Sequence, residues 1–169
     1  MQTMSRVEGR FQATADRINQ ILEPAALIVE RELGGRAEYS RVAVVSTRDM
    51  GRMEYEAHRS LFGSSARLQR YGWRAPVGRT VVSRLGTWVL FNAQELRGSV
   101  KQIDKTVLHE LGHAVQFARP GRREEIVRGE RHNHGIELLE ESEVRRLDCL
   151  VVDDEREAER LERLARKLR

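Results

Sequence analysis

The segment "DKTVLHELGHAVQF", residues 104–117, carries two histidines four apart with a glutamate beside the first. On a helix, positions i and i+4 stand one above the other on one face, so His109 and His113 can offer two imidazole nitrogens to one cation. Glu110 is displaced by ~100° around the helix, off the ligand line but within reach of a metal-bound water. Zinc takes nitrogen and oxygen donors in tetrahedral geometry, and a catalytic site leaves one position to water. The metal brings that water's pKa toward ~7, and Glu110 then serves as general base for its attack on a carbonyl. Ile103, Val107, Leu111, Ala114 and Val115 can pack in a core beside the histidines. Gly112 leaves room for a close backbone approach next to the metal. The expectation is one Zn2+ per chain, with a third ligand supplied from elsewhere.

A helix read over 135–152 offers a carboxylate. Ile136, Leu139, Val144, Leu147, Leu150 and Val151 make an apolar stripe, and Glu143 falls near its centre, between Leu139 and Leu147. An unpaired carboxylate facing a core is costly, so a carboxylate there points to a cation partner. Glu140, slightly to the other side, is a further candidate, while Glu137 and Glu141 read as solvated. Pairing of Glu143 with an arginine such as Arg146 is the alternative without metal.

These residues resemble known groups. "VLHELGHAV" is similar to the active-site helix of zincin metallopeptidases, and "ESEVRRLDCLVV" resembles the glutamate helix of small ImmA/IrrE-like gluzincins. In that pattern an acid is followed by a small residue and, three beyond it, a bulky apolar one. Glu143 takes the acid's place, with Val144 for the alanine and Leu147 for the phenylalanine. This resemblance implies Glu143 as the third ligand and hydrolysis of peptide or protein substrates. "HNHGIELLEE" resembles the segment carrying the third histidine of SprT/Spartan-like proteases, with Leu138 where an aromatic is usual. That resemblance implies His134 as the alternative ligand and DNA-linked substrates. A metzincin is excluded, because its third histidine would fall at position 119, which is Arg119. A non-catalytic zinc-binding regulatory module is the alternative from another class.

The elements that must position these residues follow from patterning. Apolar residues at three- and four-residue spacing predict a helix over 5–33, kinked at Pro24 and stopped by Gly34-Gly35. "SRVAVVST", 40–47, reads as a buried strand, and 48–78 as a long irregular excursion with a short helix near 52–60. "RTVVSRLGTWVLFN", 79–92, reads as one or two strands, and the stretch ending at 87–92 should rim the cleft, where extended substrate can add by main-chain hydrogen bonds. A helix follows over 100–118, closed by Pro120-Gly121, then a charged loop, the helix at 135–152, and a charged helix to the end with i, i+4 pairs. The fold expected is a compact α+β zincin-like domain over 1–152, with a charged C-terminal helix over 153–169 packed on it or extending from it.

At 169 residues, 40% hydrophobic and 33% charged, the chain has the composition of one globular domain. It holds no apolar run of membrane-spanning length, no secretory h-region in "MQTMSRVEGRF", and a single cysteine, Cys149, suited to a reducing cytoplasm. Net charge is +4, nearly all the positive residues being arginine. Residues 36–84 hold ten arginines against four acids. A solvated loop is the favoured reading of that segment, and a nucleic-acid-binding face the alternative. "RYGWRAP", 70–76, is read as a loop packing its own aromatics. His58 is read as a surface histidine, Cys149 as a buried thiol, Asp148 as a possible partner of a ligand histidine, and His132 as a candidate for stabilising the oxyanion.

Overall fold

The computed structural model describes residues 3–5, 7–67 and 75–168. Two apolar runs form its centre. In β2 (Arg41–Val45) and β4 (Gly86–Asn92) nearly every residue is buried, as expected of strands covered on both faces. Val42, Val44, Val89 and Phe91 face one core, Ala43, Val45, Trp88 and Leu90 the other. The sheet order is β1-β2-β4-β3, with β1 (Thr3–Ser5) parallel to β2, β2 parallel to β4, and β3 (Gly78–Ser83) antiparallel to β4.

On the first face lie α1 (Gln12–Leu33) and α3 (Val100–Phe117), whose Ile18, Leu22, Val29, Val107, Leu111 and Val115 complete the larger core. Helix α1 runs through Pro24 and ends at Gly34, whose φ of 69° suits a residue without a Cβ. On the second face lies α2 (Thr47–Phe62), with Met50 and Ala57 against the sheet. Its N-terminus is capped by Ser46, whose hydroxyl accepts from Asp49 N at 3.2 Å. Two further helices, α4 (Arg122–Asn133) and α5 (Glu141–Leu161), follow α3, and a 3-10 segment spans Glu162–Leu168. The architecture is α+β, as the sequence predicts.

Several local expectations change. The irregular excursion holds the full helix α2, because its inner face buries Glu54 and His58 beside the apolar residues and so blurs the periodicity. The charged loop after Pro120 is α4, which buries only Arg122 and shows no apolar stripe to read. The next helix begins at Glu141, not near 135, and continues past 152, so the boundary drawn there falls inside α5. β4 is paired on both sides, so among the described residues the sheet edge beside α3 is β3, not residues 87–92. Most of "RYGWRAP" lies outside the described residues. Among the described residues no helix is long and apolar enough to cross a membrane.

Candidate metal centre

Helix α3 is the pillar of the site. Ser99 caps it, and its buried Asp104 accepts two hydrogen bonds from Arg17 of α1, at 2.9 and 3.0 Å. Two turns later His109 and His113 point their Nε2 atoms at one another, 3.1 Å apart. Glu155 of α5 closes the triangle, with Oε2 3.4 Å from His109 Nε2 and Oε1 3.3 Å from His113 Nε2. Donors about 2.0–2.2 Å from a tetrahedral zinc stand roughly 3.3–3.5 Å from one another. The two nitrogens, 3.1 Å apart, and the two oxygens of one carboxylate, each 3.3–3.4 Å from one nitrogen, stand close to that spacing and suit a single divalent ion such as Zn2+.

What brings Glu155 there is a contact between small residues. A Cβ on Gly112 would stand 2.6 Å from Leu161 Cδ1 and 3.7 Å from Ala158 Cα. The space at Gly112 therefore admits α5, and not only a metal. Ala158 and Leu161 are buried against α3, and Glu155 lies one turn before Ala158, on the same side of its helix.

The ligand rings are held from behind. His113 Nδ1 lies 2.7 Å from Gln116 Oε1; since the amide oxygen can only accept, Nδ1 is the donor of this pair, which turns Nε2 toward the position a metal would take. Gln116 Nε2 donates in turn to Asp154 O at 2.9 Å and Glu157 Oε2 at 2.8 Å, tying the same helices together. His109 Nδ1 is buried without a well-aligned hydrogen bond, although Glu162 Oε1 lies 3.3 Å away. Glu162 is itself fixed by Lys105 at 2.9 Å.

Glu110 is buried beside the triad. Thr80 Oγ1 of β3 lies 2.8 Å from its Oε2 and 2.9 Å from its backbone oxygen. A Cβ on Gly78 would stand 2.6 Å from both Cγ and Oε1 of Glu110, so glycine at that point of β3 makes the pocket for the carboxylate. Burial raises the Glu110 pKa, against the pull of His113, His109 and the Thr80 hydrogen bond. Hydrogen bonds from His109 and His113 hold Glu155 below the usual carboxylate range. Burial works to lower the His109 pKa, but the hydrogen bond to Glu155 and the neighbouring carboxylates outweigh it and raise it. The donors thus draw positive charge into their midst, which is what a cation would supply.

The triad and Glu110 open on a cleft of about 460 Å³. Gly78–Val82 of β3 forms one wall, and Ile126, Leu147 and Val151 of α4 and α5 face it. An edge strand beside a candidate metal cluster and a buried carboxylate is suited to an extended chain.

The residues proposed as third ligand lie elsewhere. Glu143 pairs with Arg128 and approaches Arg146 at 3.9 Å. The wheel that centred it fails because Leu139 precedes the start of α5. Glu140 is the N-cap residue of α5. His134 is buried at the end of α4, with Nε2 3.3 Å from His58 Nδ1. His58 is therefore buried rather than on the surface, and Cys149 is exposed rather than buried. Asp148 and His132 line the cleft, but the second nitrogen of His113 is taken by Gln116.

Sequence reasoning did not reach Glu155, Glu162, Gln116, Thr80 or Gly78. A signal for Glu155 exists in the spacing Glu155, Ala158, Leu161, an acid in line with a small and an apolar residue, but it sits inside the charged run "DDEREAERLER". No protein-family model matches the chain, and no similar curated protein or solved structure was found. The arrangement of His109, Glu110 and His113 is consistent with a zincin-like HExxH metal-binding site.

Proposed function

We propose that the protein is a zinc-dependent metallopeptidase. Its ligands are His109, His113 and Glu155, and Glu110 is the general base. The observation that supports this best is the cluster of two imidazole nitrogens 3.1 Å apart, each 3.3–3.4 Å from an oxygen of Glu155, beside the separate buried carboxylate of Glu110. Zinc bound there supplies Lewis acidity toward a carbonyl oxygen and acidity to a coordinated water.

The chain's own residues supply the rest. Glu110 accepts a proton from the attacking water and returns it to the leaving amine. Thr80 and the bare backbone at Gly78 fix where its carboxylate stands. The exposed edge of β3 binds substrate backbone, while Ile126, Leu147 and Val151 favour an apolar side chain across the cleft. Glu162 and Gln116 orient the two imidazoles.

The Spartan-like reading rested on His134 as ligand, and its place beside His58 gives that reading no support. A regulatory zinc module would not need a buried Glu110 held by Thr80. The test is Glu110→Gln in the zinc-loaded protein, assayed against a peptide library. Retained zinc with cleavage reduced by about 10²–10⁴-fold is expected. Equal cleavage by variant and parent would refute the role of Glu110, and absence of any cleavage by the parent would favour the regulatory module.

A further inference from the structure

Among the described residues a second group of ligand-type side chains lies outside the triad. His58 of α2, Glu130 of α4 and His134 at the end of α4 place donor atoms within 4.8 Å of one another. We propose that His58, Glu130 and His134 form a second site for a divalent transition-metal ion of the zinc kind. The proposal rests on this geometry and not on the peptidase reading.

The grouping repeats features of the first triad. Two imidazole nitrogens face each other at 3.3 Å, and Glu130 Oε2 lies 3.9 Å from His134 Nε2 and 3.9 Å from His58 Nε2. Glu130 and His134 are four apart on one helix, the spacing that stacks two ligands on one face. Both rings are deeply buried, with side-chain exposures of 6% and 5%, while Glu130 keeps 27% and can adjust toward an ion.

A single hydrogen bond between the two rings does not account for this arrangement. It employs one nitrogen of each ring and leaves the Glu130 carboxylate 3.9 Å from both, too far for a hydrogen bond but within reach of a shared ion. Two nitrogens and one carboxylate oxygen favour zinc-like ions over magnesium or calcium, which prefer oxygen donors throughout. Entry is provided by the cleft itself, since His58 and Glu130 both line it.

Position suggests a structural use. Helix α4 buries almost nothing apolar, and His58 belongs to a different layer of the fold. An ion shared by these residues would clamp α4 to α2 and steady that wall of the cleft.

The experiment is a zinc titration of the metal-free full-length chain, followed by equilibrium dialysis and elemental analysis. The parent should bind two equivalents. Glu130→Gln, which alters a half-exposed residue and should leave the fold intact, should weaken one of them by more than about tenfold. His134→Ala should abolish the same one. His109→Ala combined with His113→Ala should still bind one equivalent, and zinc should slow amide exchange in α4 of that variant. A parent that saturates at one equivalent, or a second equivalent indifferent to Glu130→Gln, would overturn the proposal.

Discussion

Helices α3 and α4 each carry two ligand-type residues four apart, His109 with His113 and Glu130 with His134, yet they are held by different forces. Helix α3 is buried on almost every side, by α1, the sheet and α5, and Asp104 anchors it to Arg17. Helix α4 buries only Arg122 and is tied down by ion pairs: Arg122 to Asp154, Arg146 to Glu125, Arg128 to Glu137 and Glu143, and Arg131 to Glu137. Apolar packing fixes position within a fraction of an ångström and is insensitive to salt. Apart from the buried Arg122–Asp154 pair, these ion pairs are partly exposed, contribute ~0–1 kcal/mol each and are screened. A metal-binding cluster belongs on the first kind of support, whereas the second kind suits a cleft wall that adjusts to what it binds.

The sharpest way to break this contrast is through the support of α3. Asp104→Ala removes the partner of a largely buried Arg17 and should destabilise the fold by about 3 kcal/mol, read from denaturant unfolding. A loss no larger than that of a surface substitution would show that α3 is not anchored there.

Next in size is Gly78→Ala. Its Cβ displaces the Glu110 carboxylate, so turnover should fall by about 10²-fold while zinc content stays unchanged. Zinc loss, or unaltered turnover, would separate β3 from the base.

The smallest effects belong to α4. Arg128→Ala should cost under about 1 kcal/mol, because its pairs with Glu137 and Glu143 are half-exposed. In the metal-free chain, amide exchange in α4 should quicken in ~1 M salt, where the screening length falls to ~3 Å, while that of α3 holds steady. Equal salt response in both helices would remove the distinction.

The same contrast explains what was legible. Helix α3 announces itself by a burial pattern and two histidines, and β2 and β4 by uninterrupted apolar runs; each records its environment in its composition. Helix α2 was legible only in part, because its inner face carries Glu54 and His58 toward polar partners rather than toward a core. Helix α4 has no apolar stripe at all, so its residues read as a loop. That error moved the start of α5 and placed Glu143 on a stripe containing Leu139, which is not helical. Glu155 stayed hidden because ligands from separate elements meet through packing, here Gly112 against Ala158 and Leu161, and nothing in a linear pattern marks which acid of a charged run will arrive.

Zinc affinity tests the identity of the third donor most directly. With Glu130→Gln as background, so that the first site dominates, zinc binding is measured for Glu155→Ala and for Glu143→Ala. Glu155→Ala should weaken zinc by more than about a hundredfold, as expected when one of three ligands is lost, and Glu143→Ala should bind as tightly as the background protein. Tight zinc binding by Glu155→Ala, together with loss of zinc in Glu143→Ala, would contradict this assignment.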